Sequence, residues 1–190
     1  MQKVKNSLIR ELPRKIETGI VIKLGMLENQ VNTVYLGIGS NLGNRISNIE
    51  KAKYYLMQNN IKIISASRYY ETPSWPNPKN PKFINIVLKA KCYYKPFDLF
   101  NICKFIEKKL GRKRTVKNSP RECDIDIIDF KGQVLKKQLF LPHKLMHKRS
   151  FVLFPLFEIE REWVHPIQNV NIKKLILSLP NNDIRSIKQI

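Results

Sequence analysis

Three of the chain's five aspartates fall within six residues, Asp124-Ile125-Asp126-Ile127-Ile128-Asp129. A run so rich in isoleucine reads as a strand, because β-branched side chains suit a pleated backbone. Side chains on a strand alternate between faces, so Asp124 and Asp126 point one way while Ile125 and Ile127 point into a core. A chain carrying this run must build a sheet with one buried face and two carboxylates on the other. Extended backbone sets their Cα atoms roughly 6.5–7 Å apart, close enough for both carboxylates to converge on a hard cation. The alternative is a polar strand face paired with lysines.

The remainder alternates around that strand. A strand signal begins at Thr33 and runs through Ile38, and residues 44–59 predict a helix with Ile46, Ile49 and Leu56 on one face. Residues 61–70 and 83–92 predict two further strands. The segment ETPSWPNPKNPK between them has four prolines in a dozen residues and must be a loop. Pro96 suits a first helical turn, with Phe100, Cys103, Ile106 and Leu110 following at helical spacing. A strand over 123–130 comes next, then short helices over 151–158 and 171–178. Strand-helix-strand-strand-helix-strand order predicts an α+β sandwich with a largely antiparallel sheet. A chain of 190 residues predicts one domain, placed here at 33–180. Residues 1–32 read as an extension, disordered or not translated, with Met26 a candidate start, and 181–190 as a tail.

Composition removes several classes. Cys92, Cys103 and Cys123 are odd in number and lack CxxC spacing, which argues against a disulfide framework or a zinc ribbon. Reduced thiols and a cytoplasmic location are expected. No apolar run approaches the roughly 20 residues of a membrane span, and no secretory signal is expected at the N-terminus. Lys and Arg number 35 against 15 Asp and Glu, a formal charge of +20, so an anionic partner is expected.

The placement of that charge narrows the choice. Seven cations and no acid lie between Lys108 and Arg121, and five more without an acid lie between Lys136 and Arg149. These stretches flank the aspartate strand on both sides. Carboxylates holding Mg²⁺ between arginines that hold phosphate oxygens would suit a polyphosphate. Lys108, Lys109, Lys136 and Lys137 are expected to be solvated instead.

Gly37-Ile-Gly-Ser-Asn-Leu-Gly43 is neither GxxxxGK[ST] nor GxGxxG, so it predicts a tight strand-to-helix turn rather than a phosphate loop. His143 and His147 have the spacing of a zinc helix but lack the glutamate of HExxH, and a hydrogen bond to phosphate suits His143 better. Trp75 lies in the Pro-rich loop, and Phe83 and Asn85 face one side of the next strand. An aromatic ring with an amide suits a flat heterocycle, but on the local pattern alone Phe83 reads as core first.

Taken together these motifs resemble one family. They are Gly37 through Gly43, Tyr70-Glu-Thr-Pro-Ser-Trp75, Phe83-Ile-Asn85, and Glu107 ahead of Gly111-Arg112-Lys-Arg114. Pro120-Arg121-Glu-Cys-Asp124-Ile-Asp126 and Pro142-His143 through Pro155 complete the set. Over residues 33–168 the chain is similar to the 6-hydroxymethyl-7,8-dihydropterin pyrophosphokinases of folate biosynthesis. The resemblance implies a ferredoxin-like, three-layer α/β/α sandwich with a mainly antiparallel sheet. It implies transfer of diphosphate from ATP to the hydroxymethyl group of the pterin, with release of AMP.

By the same resemblance, Asp124 and Asp126 would bind two Mg²⁺ ions, with Arg112 and Arg121 catalytic beside them. Glu107, Arg112, Arg114, Arg121, Ile127, His143 and Arg149 would surround the nucleotide. Thr72, Pro73, Trp75, Phe83, Asn85 and Phe151 would form the pterin pocket, with Phe83 and Phe151 sandwiching the ring. The loops at 72–82 and 112–121 are the expected lids. Asn118-Ser119 stand where many members have Trp-Gly, which removes an aromatic contact. The competing reading is a nucleic-acid-binding module, since ferredoxin-like sheets with basic loops also bind RNA. No RNP-like aromatic strand is present, and the aspartate pair would repel a phosphate backbone. A monomer with small-molecule substrates, no nucleic-acid or membrane partner and no second enzyme domain is therefore expected.

Overall fold

The computed structural model describes residues 31–112 and 118–190. The elements follow in the order β1 (Asn32–Ser40), α1 (Arg45–Gln58), β2 (Lys62–Ala66), β3 (Tyr70–Thr72), β4 (Phe83–Cys92), α2 (Pro96–Lys109) and β5 (Asp124–Phe130). After them come β6 (Leu135–Lys136), β7 (Phe140–Leu141), a 3-10 turn (Met146–Lys148), α3 (Ser150–Ile159), α4 (Ile172–Leu177), α5 (Asn181–Ser186) and β8 (Lys188–Gln189). The sheet runs β5-β1-β4-β3-β8, with β2 also pairing to β4, and every pairing is antiparallel.

Two apolar layers cover the sheet. On one face, Leu36, Ile38, Ile86, Leu88, Ile125 and Ile127 pack against α1 and α2. On the other, Tyr35, Val87 and Ile128 pack against α3, α4 and the 3-10 turn. The result is the α/β/α sandwich. The period-two alternation of β1 and β4 produces it, since odd and even positions meet different helices.

Local signals set the helix ends. Asn44 caps α1 by accepting a hydrogen bond from the Ser47 amide at 3.0 Å. Pro96 opens α2, where its missing N–H costs nothing, and Lys108 and Lys109 sit in the last turn where the helix dipole favours cations. Ile49 and Leu56 are buried as expected, whereas Ile46 is exposed because it lies in the first turn, ahead of the contact with the sheet.

Some boundaries differ from the sequence reading. The strand anticipated over 61–70 stops at Ala66 and resumes as β3 at Tyr70. Both pieces pair to β4, which is long enough to hold two short neighbours on one edge. Residues 181–190 carry α5 and β8, and Tyr70 and Glu71 of β3 pair with Gln189 and Lys188. Residues 1–30 of the N-terminal extension and Arg114 lie outside the described residues.

Candidate active site

The site grows from three adjacent strands. Gly39 of β1 stands opposite Asn85 of β4 on one side and Asp124 of β5 on the other, and Gly37 likewise stands opposite Val87 and Asp126. The glycines thus form a floor without side chains between the carboxylates and the amide. A Cβ at Gly39 would come within 2.8 Å of the Asn85 Oδ1 and 3.3 Å of the Phe83 ring. Gly37 and Gly39 are strand residues, which corrects the expectation of a tight turn. Only Gly43 lies in the turn, at φ +65°.

Above this floor opens a cleft of about 1410 Å³. Asp124, Asp126, Arg112 and Arg121 line it at one end, with His143 and Arg149 beside them. Thr72, Pro73, Trp75, Phe83, Asn85 and Phe151 line the other end. Glu107 also lines the cleft, from α2. Ile127 does not: its side chain belongs to the core, and it borders a smaller recess with Gln138, Leu139 and Phe140. Lys108 is exposed, as expected, and lies at the cleft on one stripe of α2 with Asn101, Lys104 and Phe105. Their spacing at positions 101, 104, 105 and 108 is that of one helix face, a signal the sequence contained.

Charge is tightly organised at the carboxylate end. Asp124 accepts from Arg112 through Oδ1 and from Arg121 through Oδ2. Burial works against its charge, but Arg121 and then Arg112 outweigh it and hold the carboxyl below the usual carboxylate range. Glu107 is buried and fully engaged, accepting from the Ile125 amide at 2.7 Å, from Lys104 at 2.8 Å and from Arg112 at 2.9 Å. It therefore pairs the Ile125 amide of β5 and steers Arg112. Burial raises its carboxyl above the ordinary value, with Lys104 opposing. Asp126 lies 3.5 Å from Arg149 Nη1 and 3.8 Å from His143 Nε2. Burial holds the His143 imidazole below its ordinary value, with Asp126 opposing and Arg149 reinforcing.

The aromatic end meets the same arginines. The Arg121 guanidinium lies 5.1 Å from the centre of the Phe83 ring, and Arg149 lies 5.3 Å from Trp75 and 5.5 Å from Phe151. Phe83 is a cleft residue rather than core. Asn85 donates to Thr72 Oγ1 at 3.1 Å, which fixes the amide so that its oxygen faces Gly39. His147 takes no part, its ring packing against His165. Cys123 is fully buried, and burial pushes its thiol well above the ordinary range, so it acts as filler.

The donor set favours a hard cation carried in with its ligand. Among the described residues no three His, Cys, Asp or Glu side chains are placed to hold a metal. Two carboxylates on one strand face supply part of an oxygen shell, and phosphate oxygens with water would complete it. An amide and two aromatic rings line the same cleft as this carboxylate pair, a combination that suits an enzyme acting on a phosphate-bearing ligand and a heterocycle.

Comparison with known proteins agrees. Residues 35–161 match the family described as 7,8-dihydro-6-hydroxymethylpterin-pyrophosphokinase (HPPK), and the chain belongs to that family. It is 43% identical over 143 residues to the 2-amino-4-hydroxy-6-hydroxymethyldihydropteridine pyrophosphokinase of Aquifex aeolicus, covering 75% of this chain and 89% of that protein. The Bacillus subtilis protein of the same name is 35% identical over 130 residues, covering 67% of this chain and 78% of that one. A Plasmodium falciparum HPPK-DHPS crystal structure with pteroate superposes with a TM-score of 0.63 at 18% identity, covering 80% of this chain and 43% of that chain. That likeness establishes the fold. Among the described residues no helix is long and apolar enough to cross a membrane.

Proposed function

We propose that this protein transfers diphosphate from ATP to the hydroxymethyl group of 6-hydroxymethyl-7,8-dihydropterin and releases AMP, a step of folate synthesis. One observation carries the reading: the Asp124–Asp126 pair and the Asn85–Phe83 pair face a single cleft across a glycine floor. A triphosphate and a flat heterocycle can therefore lie end to end within it. The pterin hydroxyl oxygen forms a bond to the β-phosphorus while the bond from that phosphorus to the AMP oxygen breaks. The hydroxyl proton leaves to water.

The chain's own groups supply orientation and charge. Asn85 and Thr72 offer hydrogen bonds to the heterocycle edge, and Phe83 and Phe151 offer ring faces. Arg112 and Arg121, already convergent at Asp124, would neutralise charge on the transferring and leaving oxygens. Arg149 and His143 would hold the outer phosphate oxygens. Asp124 and Asp126 would hold Mg²⁺, two ions by family likeness, which would neutralise the triphosphate and acidify the attacking hydroxyl. A coupled assay for AMP tests this proposal. AMP formation from ATP that requires both the dihydropterin and Mg²⁺ supports it, and no AMP from purified protein under those conditions rejects it.

A further inference from the structure

Strand β3 is only three residues long, yet it carries Thr72 into the cleft. Thr72 is 3% exposed, and its Oγ1 accepts from Asn85 Nδ2 at 3.1 Å, the bond that aims the Asn85 oxygen. The backbone of β3 sets the position of this hydroxyl. Thr72 closes the strand, and Pro73 beyond it has no N–H with which to extend the pairing. Whatever fixes β3 therefore fixes the polar edge of the heterocycle end.

Both edges of β3 are paired. On one side Tyr70, Glu71 and Thr72 face Asn85, Ile84 and Phe83 of β4. On the other, Tyr70 and Glu71 face Gln189 and Lys188 of β8, and the Ile190 amide donates to the Tyr69 carbonyl at 3.0 Å. Bonded and unbonded pairs alternate in an antiparallel ladder, so the Ile190 bond makes Lys188 and Glu71 the bonded pair. Among the described residues β8 is the only strand on this edge, and it lies beyond the family match at 35–161. Its anchor is separate from β4, because Ile184 of α5, just ahead of it, packs against the apolar layer of α3 and α4.

We propose that β8 is a positioning element of the heterocycle end: by pairing with β3 it holds Thr72 in register with Asn85 and so sets the affinity for the dihydropterin. This rests on the assignment of that end to the dihydropterin. The contribution comes from backbone, since Lys188 is exposed and Glu71 opposite it already pairs with Arg45 at 3.0 Å and Lys82 at 3.6 Å. The nucleotide end stands apart. Asp124 and Asp126 lie on β5, which β1 and β4 separate from β3 in the sheet.

The test uses the full chain as wild type, Lys188→Pro, Lys188→Ala, Thr72→Val and the Lys188→Pro/Thr72→Val double variant. AMP release gives kcat and the KM for each substrate. Lys188→Pro removes the amide that faces Glu71 and leaves every cleft side chain in place. Its KM for the dihydropterin should rise about tenfold, with kcat and the KM for ATP within about twofold of wild type. Lys188→Ala keeps the amide and should match wild type. In the Thr72→Val background the proline should add little, since the hydroxyl it misplaces is already gone. Should Lys188→Pro fail to fold, Ile190→Pro, which removes only the bond to Tyr69, decides by the same split between the two KM values.

A folded Lys188→Pro enzyme with the wild-type KM for the dihydropterin overturns the proposal. So does one whose two KM values rise together, or a proline effect that persists in full in the Thr72→Val background. Absence of AMP formation by the wild type would instead reject the assignment of the cleft itself.

Discussion

The two ends of strand β5 carry the same residue type to opposite ends. Asp124 and Asp126, at its start, face an open cleft and are surrounded by Arg112, Arg121 and Arg149. Asp129, near its end, is 4% exposed and accepts from the Trp163 indole at 2.9 Å and the Gly132 amide at 3.0 Å. The first pair is held by cations that line the cleft and that a polyphosphate can also recruit. The third aspartate is held by two neutral donors, an indole and a backbone amide, away from the cleft. A carboxylate's neighbours, more than its place in a motif, decide whether it is available for chemistry.

The contrast can be broken in several places, beginning where the effect is largest. Asp124→Ala should lower kcat by about three powers of ten, because it removes the group on which two arginines and the proposed cation converge. An AMP-release assay checks this, with far-UV circular dichroism expected to be unchanged. Asp129→Ala should leave kcat of the folded enzyme near wild type but lower unfolding free energy by about 2–3 kcal/mol, since it strands a buried indole and a backbone amide. Urea unfolding with parallel kinetics separates these outcomes. Gly39→Ala should weaken dihydropterin binding about tenfold and leave ATP-analogue affinity unchanged, because its Cβ would press on Asn85 and Phe83. Calorimetric titration with each ligand reads the difference.

Acidity should sharpen the same comparison, with the smallest effect. Beside the Asp129 end, burial holds His165 below its ordinary value, with His147 adding to the shift, and burial likewise lowers His147. The unfolded chain binds more protons than the folded one just below about pH 6.5, so stability should fall as pH drops through that range. At the other end Asp124 has a depressed carboxyl, so its contribution is complete above about pH 3.9 and is lost only as pH falls through its lower folded value. His143 at the cleft end is held down by burial in the same way, so all three histidines give way to acid before Asp124 does. Urea midpoints between pH 5 and 7 should slope for wild type and slope less in a His147→Gln/His165→Gln double variant, His143 keeping the remainder.

Much of this was legible in one dimension. β4 runs over the anticipated residues, and α1, α2, α3 and β5 fall within a residue or two of their sequence signals. Periodicity and capping are local, and here they agree with the core they serve. Asp124, Asp126, Arg121, His143 and Asn85 were also legible because their chemistry stands out against apolar neighbours, whereas Thr72, Pro73 and Arg149 were legible only through the family resemblance. The α2 stripe of Asn101, Lys104 and Lys108 was hidden by the general excess of lysine, and the place of β8 by its depending on β3, far away in sequence.

Strand β5 marks the boundary between the two kinds of knowledge. Alternation alone was enough to put Asp124 and Asp126 on one face and Ile125 and Ile127 on the other. Continued one step further, it would have sent Asp129 into the apolar layer beneath α1 and α2. Instead the pairing to β1 slips, Leu36 facing Ile127 and Tyr35 facing Asp129, so Ile128 is an extra residue and Asp129 turns toward Trp163. Sequence by itself determined the chemistry at the start of the strand, because side-chain direction there follows from backbone geometry within a few residues. Tertiary structure decided its end, because the bulge depends on a partner strand and a buried indole, both far away in sequence, that together give the Asp129 carboxylate its partners.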